Sequence, residues 1–189
     1  MNVIDLAVAA HEVLVDAGLP HAFGGALALN LYAEPRMTSD VDLSVFVPWE
    51  ERATVIPIFE VIGFAPDPAD PPPLPAAGTR LRSAEHREIL DVFFALDPVY
   101  DRVRDRAVLV PYGRNGEELP FFTAEDIVLF KLSFNRTKDW VDIENVIRDG
   151  PELDTEYIQD VLVAMRGPTM HPRVARLRAM IAKGGEEPR

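Results

Sequence analysis

The sequence predicts an α+β fold in which a small mixed β-sheet flanked by helices is followed by a C-terminal helical portion. Two observations support this prediction. Short strand-like segments alternate with helix-like segments up to about residue 115, and helical periodicity takes over from Thr123 onward. The 189 residues, 48% of them hydrophobic, are sufficient for a core. We therefore expect an α/β core over residues 1–118 and a helical region, packed on that core, over residues 119–189.

The expected elements of the core follow from local patterning. Residues 4–17 have the pattern of an amphipathic helix, and the alternating run at 40–47 is typical of a strand. Six prolines within residues 65–78 predict a loop, because proline lacks a backbone donor and has a fixed φ. The full set comprises strands at 20–24, 40–47, 79–84, 87–95 and 107–111 and helices at 4–17, 26–33, 50–62 and 98–104.

Capping residues set the expected helices of the C-terminal region. Thr123, with an acidic residue three positions on, is a good N-cap for an apolar helix that ends at Phe134. Thr137 is expected to cap a second helix, which runs to residue 148 and is closed by a Gly-Pro pair. Two further helices are expected at 154–165 and 172–183.

Composition and charge exclude several classes of function. The chain has no cysteine, which excludes disulfides and cysteine metal sites, and its four histidines are not at zinc-ligand spacing. The N-terminal segment carries acidic residues and lacks the basic start of a signal peptide, and no apolar run approaches membrane-spanning length. We therefore expect a cytoplasmic protein with no membrane partner. The net charge of −12 argues against a dedicated nucleic-acid binder.

Two aspartates are expected to project from one face of the strand at 40–47. Side chains alternate along a strand, so the valines and the leucine lie on one face and Asp40 and Asp42 lie on the other. Both carboxylates can then reach one small cation or two neighbouring ones. The chain has 16 aspartates, so about one Asp-x-Asp pair is expected by chance. Two solvated residues at the mouth of a strand are the alternative interpretation.

A third aspartate, Asp91, lies inside the apolar run at 89–95. An ionised carboxylate is costly to bury unless a cation or several donors compensate its charge. A metal site shared with Asp40 and Asp42 would remove that cost. The alternatives are a pairing with one of three arginines or an exposed position at a sheet edge; the arginines are Arg80, Arg82 and Arg87.

Gly24 and Gly25 lie where a predicted strand ends and a predicted helix begins. Glycine lets the backbone approach a ligand closely there, and the helix N-terminus presents free N–H groups to an anion. The two glycines precede the aspartates with the spacing Gly-Gly-x14-Asp-x-Asp, and Asp91 follows on a later strand. This combination resembles the nucleotidyltransferase superfamily that includes polymerase-beta-like enzymes.

The second half of the chain resembles the AbiEii-type group of that superfamily. The group's pattern, Glu-Asp, then Lys-Leu, then Arg-x-Lys-Asp-x-x-Asp, is matched by residues 125–142. Characterised members include toxins of bacterial toxin–antitoxin pairs. The resemblance implies that Lys131 meets nucleotide phosphates and that Asp142 contacts Lys131 or the nucleotide. The alternatives are a lysine that snorkels from a helix face, and a solvated surface for Asp139 and Asp142.

The resemblance implies transfer of a nucleoside monophosphate from an NTP to an acceptor, with Mg²⁺, two ions, as cofactor. The residues that it implies are Asp40, Asp42 and Asp91 for the metal, the same three with Lys131 for catalysis, and Gly24, Gly25, Ser39, Lys131 and Asp142 for the nucleotide. In these roles the glycines and the serine hold phosphate oxygens, and the lysine neutralises developing charge. Asp91 also helps to deprotonate the acceptor.

The acceptor in toxin-like relatives is tRNA or a protein, and an antitoxin is an expected partner. Residues 166–189 carry six Lys+Arg against two Asp+Glu and form either a surface for RNA phosphates or a solvated helix face. One alternative is an antibiotic-type nucleotidyltransferase with a small cationic acceptor, which the acidic balance of the chain suits. Another is a catalytically silent binding module, against which the three aspartates count.

Overall fold

The computed structural model describes residues 1–66 and 78–184, which divide into two units. The first unit contains residues 1–27 and 37–121, and the second contains Ala28–Arg36 together with the chain from Phe122 onward. Most of the predicted proline-rich loop, residues 67–77, lies outside the described residues. Within the described ranges, no helix combines the length and the apolar composition needed to cross a bilayer.

The helices are α1 (Val3–Asp16), α2 (Gly25–Leu29), α3 (Arg52–Val55), α4 (Tyr100–Arg104), α5 (Ala124–Phe134), α6 (Thr137–Asp149), α7 (Thr155–Arg166) and α8 (His171–Gly184). In the described residues, three 3₁₀ segments accompany them, at Trp49–Glu51, Ile56–Ile62 and Pro168–Met170. The strands are β1 (His21–Phe23), β2 (Asp40–Pro48), β3 (Ala65–Pro66), β4 (Gly78–Arg82), β5 (Ile89–Ala95), β6 (Val108–Tyr112) and β7 (Glu117–Phe121).

The first unit is built on a mixed sheet, as the sequence predicts. Its strand order, for the part of the chain that is described, is β3-β4-β5-β2-β1-β7-β6. β2 pairs with β5 in parallel and with β1 in antiparallel orientation, and β4 pairs with β5 in antiparallel orientation. On β2, Val41, Leu43 and Val45 are fully buried, whereas the alternate residues from Asp40 to Ser44 are partly exposed. The sheet therefore buries one face against the core and leaves an acidic face accessible.

The helix α1 covers the buried side of this sheet. Leu6, Ala10 and Leu14 recur at intervals of four residues and are fully buried, and the helix contacts β1 and β2. Asn2 caps the helix by accepting the backbone N–H groups of Ile4 and Asp5. The helix predicted at 4–17 is thus confirmed, with each end shifted by one residue.

The second unit is helical, as the sequence predicts for the C-terminal portion. Thr123 is the N-cap of α5, because its side chain accepts the backbone N–H of Asp126 at 3.3 Å. The core of this unit consists of apolar residues from four helices, including Leu129, Leu132, Ile143, Val146, Ile158, Leu162 and Leu177. Two further helices were predicted at 154–165 and 172–183, and α7 and α8 confirm them.

The predicted helix at 50–62 is only partly correct. This stretch consists of a 3₁₀ turn, the short helix α3 and a second 3₁₀ segment, Ile56–Ile62, that ends at Gly63. Pro57 lies at the start of that last segment and lacks the N–H that would continue the α-helical hydrogen bonds of α3. The chain therefore changes to the tighter 3₁₀ geometry.

The structure differs from the prediction at three other places. Thr137 is not the cap of α6, because the helix begins there and the Asp139 carboxylate accepts the backbone N–H of Arg136 at 2.9 Å. The strand β7 was not predicted; its five residues include two glutamates and Pro120, although Leu119 and Phe121 are fully buried. Ala65–Pro66, predicted as the start of a loop, pairs with β4 as a short strand.

Candidate functional site

Three aspartates share one face of the sheet in the first unit. Asp42 on β2 is the register partner of Asp91 on β5, and Asp40 lies two residues earlier on β2. Because β2 and β5 are neighbouring parallel strands, residues in register project to the same side. All three aspartates are partly exposed. The structure thus brings them together on an accessible face, and metal binding by them stays a prediction.

The diglycine turn places the backbone against Asp42. Gly25 has a φ of 54°, which is in the left-handed region that favours glycine. A Cβ at this position would overlap the Asp42 carboxylate, so glycine is what leaves room for that side chain. Gly24 donates its backbone N–H to the carbonyl oxygen of Asp42 at 2.8 Å. The following helix, α2, ends at Leu29 rather than at residue 33 as predicted, so any phosphate contact here depends on the turn itself.

The residues before β2 orient Asp40. The Ser39 hydroxyl donates to a carboxylate oxygen of Asp40 at 2.9 Å. The Thr38 side chain accepts the backbone N–H of Asp40 at 3.1 Å and donates to its carbonyl oxygen at 3.2 Å. The Ser39 hydroxyl thus contacts a predicted metal ligand, and phosphate binding by Ser39 stays a prediction.

Asp91 is paired with an arginine from the neighbouring strand. Arg80 on β4 is the register partner of Asp91, and its Nε and Nη2 atoms each donate to one carboxylate oxygen at 2.8 Å. The side chains of Arg80 and Asp91 are 20% and 14% exposed. Two parallel N–H···O bonds of this kind are among the strongest side-chain contacts in proteins. Of the alternatives open for Asp91, pairing with Arg80 is therefore the one that the structure shows.

Lys131 and Asp142 form an ion pair in the second unit. Lys131 Nζ lies 2.5 Å from a carboxylate oxygen of Asp142, and the two side chains are 12% and 10% exposed. The Arg36 guanidinium lies 3.6 Å from the same oxygen. Lys131 therefore does not snorkel into solvent, and Asp142 contacts Lys131 as the resemblance implies. Contact of either residue with a nucleotide stays a prediction.

Asp139 is not a surface residue. It is fully buried, and its carboxylate accepts hydrogen bonds from the backbone and the side chain of Arg136. Burial on its own would raise the pKa of Asp139, but these hydrogen bonds, with the nearby charges of Arg136 and Lys131, lower that pKa below its ordinary value. Asp139 thus stabilises the start of α6.

The acidic face offers a donor set that suits magnesium. Mg²⁺ prefers oxygen ligands, and Asp40 and Asp42 present two carboxylates on one accessible face. The third carboxylate, that of Asp91, has both oxygens hydrogen-bonded to Arg80. Among the described residues, no group of three acidic or histidine side chains is arranged as a metal site. The chemistry of the residues therefore fits a cation at Asp40 and Asp42. Binding of the second predicted ion requires Asp91 to lose its hydrogen bonds to Arg80.

Most of the arginines of the basic C-terminal segment bind to other parts of their own unit. Arg166 donates to the Ser133 hydroxyl, and Arg173 donates to the carbonyl oxygens of residues 132 and 133 at the end of α5. Arg176 lies over the Trp140 ring, 3.7 Å from its centre. Arg178 donates to three side chains of α7, those of Thr155, Glu156 and Gln159. The segment is thus neither a simple solvated face nor an open row of cations.

Sequence reasoning named Arg80 only as one of three arginines that could pair with Asp91, and it gave Arg36 no role. The signal for Arg80 was its place on a short strand ahead of the apolar run that holds Asp91. Strand register selects Arg80 rather than Arg82, which lies opposite Ile89. Register between strands could not be read from either segment alone.

Solved structures of antibiotic-modifying enzymes resemble this chain. The antibiotic-resistance factor ANT(2'')-Ia in solution superposes with a TM-score of 0.58 at 17% identity, covering 93% of this chain and 95% of that one. Its crystal structure with adenylyl-2''-tobramycin gives 0.51 at 18% identity, covering 97% of both chains. The lincomycin-bound lincosamide antibiotic adenylyltransferase LnuA gives 0.51 at 14% identity, covering 77% of this chain and 96% of that one. At these identities the likeness establishes a common fold.

Comparison by sequence identifies the family. No curated protein sequence matches the chain. The family described as "Nucleotidyl transferase AbiEii toxin, Type IV TA system" matches residues 9–180, which is most of the chain. That span includes the diglycine turn, the acidic face of the sheet and the Lys131–Asp142 pair. The chain therefore belongs to the AbiEii family of nucleotidyl transferases.

Proposed function

We propose that this nucleotidyltransferase is magnesium-dependent and moves a nucleoside monophosphate from an NTP to tRNA or to a protein, as the toxin of a bacterial toxin–antitoxin pair. The observation that carries the proposal is the position of Asp40 and Asp42 on an accessible strand face beside Gly25, whose missing side chain leaves room for the Asp42 carboxylate. The description of the matching family supports the role as a toxin and, with it, an antitoxin partner.

In the proposed reaction, a hydroxyl oxygen of the acceptor attacks the α-phosphorus of the NTP. A new oxygen–phosphorus bond forms, the bond from the α-phosphorus to the oxygen that bridges to the β-phosphate breaks, and pyrophosphate leaves with that electron pair. Asp91 helps to take the proton of the attacking hydroxyl. Asp40, Asp42 and Asp91 would hold a magnesium ion, which would supply positive charge to the phosphate oxygens.

The remaining residues have roles in binding the nucleotide. We assign the turn of Gly24 and Gly25 and the hydroxyl of Ser39 to phosphate oxygens, since glycine turns and hydroxyls provide donors without bulk. The backbone N–H of Gly24 already donates to the Asp42 carbonyl oxygen, so Gly24 contributes by its lack of a side chain. Ser39 reaches a phosphate only if it releases Asp40. We assign Lys131 to the charge that develops on the transferred phosphoryl group, with Asp142 holding its ammonium in place.

A second candidate acceptor is a small cationic molecule of the aminoglycoside type. The net charge of −12 favours attraction of a polycation over attraction of RNA. In addition, Arg166, Arg173 and Arg178 hydrogen-bond to their own unit, which weakens the argument that the C-terminal segment collects RNA phosphates. Both candidates use the same nucleotidyl transfer and differ only in the acceptor.

Incubation with each α-labelled NTP and magnesium tests the proposal. The acceptors are total RNA, cell-extract protein and an aminoglycoside, in parallel reactions. Label on RNA or protein, together with growth arrest on expression that Asp42→Ala relieves, supports the toxin. Label on the aminoglycoside alone selects the antibiotic-type enzyme.

The matched control for these reactions is Asp16→Asn, because Asp16 is an exposed carboxylate at the end of α1 in the same unit. This variant should transfer label as the unsubstituted chain does, whereas Asp42→Asn should not. Absence of transfer from any NTP to all three acceptors would instead identify a silent binding module.

A further inference from the structure

Asp91 lies between two register partners of opposite charge. On one side β4 presents Arg80, and on the other side β2 presents Asp42, with all three residues in register across adjacent strands. Register partners on neighbouring strands project to the same face and are about 5 Å apart. The carboxylate of Asp91 is therefore within reach of a cationic side chain and close to a second carboxylate.

The structure shows which neighbour Asp91 contacts. Both of its oxygens accept hydrogen bonds from Arg80, each at 2.8 Å, and both side chains are largely shielded from water. A carboxylate has about four acceptor positions, and the planar guanidinium occupies two of them. The fixed positive charge of Arg80 also repels any divalent cation that approaches Asp91.

We propose that Arg80 and a divalent cation compete for Asp91, so that Arg80 is a positioning residue for the second metal site. Without nucleotide, the protein binds one divalent cation through Asp40 and Asp42, and Arg80 keeps Asp91 neutralised. Asp91 becomes a ligand only when Arg80 releases it. This inference rests on the proposed metal-dependent function. It adds that Arg80 limits binding of the second metal ion at Asp91.

A consequence for the reaction follows from charge balance. Three carboxylates on one face repel one another when no cation is bound, and the Arg80 contact offsets part of that repulsion. A triphosphate that arrives with its own magnesium provides both a second cation for Asp91 and a set of anionic oxygens for the released guanidinium. Arg80 therefore couples availability of Asp91 to arrival of the charged substrate.

Titration of the full chain with Mn²⁺ alone tests this competition. Electron paramagnetic resonance detects binding as a loss of the signal of free Mn²⁺. We expect the unsubstituted protein to bind one Mn²⁺ in an Asp42-dependent manner. Arg80→Gln should bind a second Mn²⁺, or bind Mn²⁺ on the order of 10-fold more tightly, because a repelling charge is removed and Asp91 is released. Adding Asp91→Asn to Arg80→Gln should abolish that gain.

The control variant is Arg82→Gln, which removes the same charge from the same strand two residues away. It should change Mn²⁺ affinity by less than about 3-fold, since its register partner on β5 is Ile89 rather than a carboxylate and charges at longer range are screened. Arg80→Lys keeps the charge but cannot hold both oxygens at once, so its affinity should lie between those of the unsubstituted protein and Arg80→Gln. If thermal unfolding shows that Arg80→Gln does not fold, the Mn²⁺ affinity of Arg80→Lys tests the proposal. An affinity no higher than that of the unsubstituted protein would then contradict the competition.

The outcomes separate this proposal from the proposed function. If Asp42-dependent Mn²⁺ binding is present and Arg80→Gln binds no more tightly than Arg82→Gln, competition at Asp91 is wrong and the metal-dependent function stands. If neither the unsubstituted protein nor any Arg80 variant binds Mn²⁺, both proposals are wrong. A loss of Mn²⁺ affinity in folded Arg80→Gln would also overturn the competition.

Discussion

Three buried carboxylates of the second unit differ in exposure from Asp40 and Asp42 on the acidic face of the first unit. Asp126, Asp139 and Asp142 of the second unit are at most 7% exposed. They contact Tyr157, Arg136 and Lys131, respectively, within their own unit. On the acidic face of the first unit, Asp40 and Asp42 are partly exposed, beside a turn from which a side chain is missing.

This difference shows how the same residue type serves two purposes in one chain. A buried carboxylate must be matched by donors, because its desolvation is costly, and such a group then contributes to the fold. Asp40 and Asp42, in contrast, lie on a half-exposed strand face that a ligand can approach. Substitution of an aspartate on the acidic face should therefore lower activity with little loss of stability, whereas substitution of a buried carboxylate should lower stability.

The largest expected effect is on catalysis, from Asp42→Asn. The amide retains the shape of the carboxylate next to Gly25 but cannot neutralise a cation, so nucleotidyl transfer should fall by about 10³-fold. The free energy of unfolding should change by less than about 1 kcal/mol, because Asp42 lies on the accessible face. Label transfer from an α-labelled NTP measures the activity. Urea unfolding, monitored by circular dichroism, measures the free energy of unfolding. Full activity in this variant would remove the basis for assigning the acidic face to catalysis.

A loss of stability is expected for Asp142→Ala in the second unit. Removal of this carboxylate leaves the ammonium of Lys131, which is 12% exposed, without its closest anionic partner. Unfolding should then require about 3 kcal/mol less free energy. The double variant Lys131→Met/Asp142→Leu should regain most of that stability, since apolar side chains of similar size remove both buried charges. A single variant as stable as the unsubstituted chain would show that the pair is not structural.

The sequence was sufficient to predict the mixed sheet, the helical C-terminal portion and the shared face of Asp40 and Asp42. These features depend on local periodicity and on the alternation of side chains along a strand, which a single segment displays. The N-cap at Thr123 was predictable for the same reason, because the capping residue and the donor that it accepts are three residues apart.

Features that depend on pairing between distant segments were not predictable. The Arg80–Asp91 contact requires the register of β4 against β5, and the choice among three arginines needs that register. The change at Pro57 to 3₁₀ geometry reflects the missing backbone N–H of proline, which overrides helical periodicity. Burial of Asp139 was unpredictable because its partner Arg136 lies in what the sequence presents as a polar, surface-like run.

Acid should destabilise the first unit before the second, through a pair of histidines. His21 Nδ1 lies 2.8 Å from the carbonyl oxygen of Leu19, so this nitrogen carries the hydrogen, and Nε2 accepts from His11 Nδ1 at 2.9 Å. Burial, opposed by the hydrogen bond to Leu19 and assisted by the charge of His11, lowers the pKa of His21 from 6.5 to about 4. The neutral form is therefore the one that the fold favours.

The sign of the pH effect follows from this depressed pKa. The stability that neutral His21 contributes is fully present above pH 6.5, and it is lost as the pH falls from 6.5 towards 4, because the unfolded chain binds the proton first. Between pH 7 and pH 5 the loss should be about 2 kcal/mol. Asp139, whose pKa is lowered from 3.8, loses its contribution only in more acidic solution.

The two tryptophans allow each unit to be followed separately, because Trp49 lies in the first unit and Trp140 in the second. In Trp140→Phe, the fluorescence of Trp49 should report a lower urea midpoint at pH 5 than at pH 7. In Trp49→Phe, the fluorescence of Trp140 should report a smaller shift. Adding His21→Gln to Trp140→Phe should reduce the pH dependence at Trp49, since glutamine offers a hydrogen-bonding side chain that does not titrate. Equal shifts at both tryptophans, unchanged by His21→Gln, would show that titration elsewhere controls acid unfolding and that the histidine pair does not distinguish the two units.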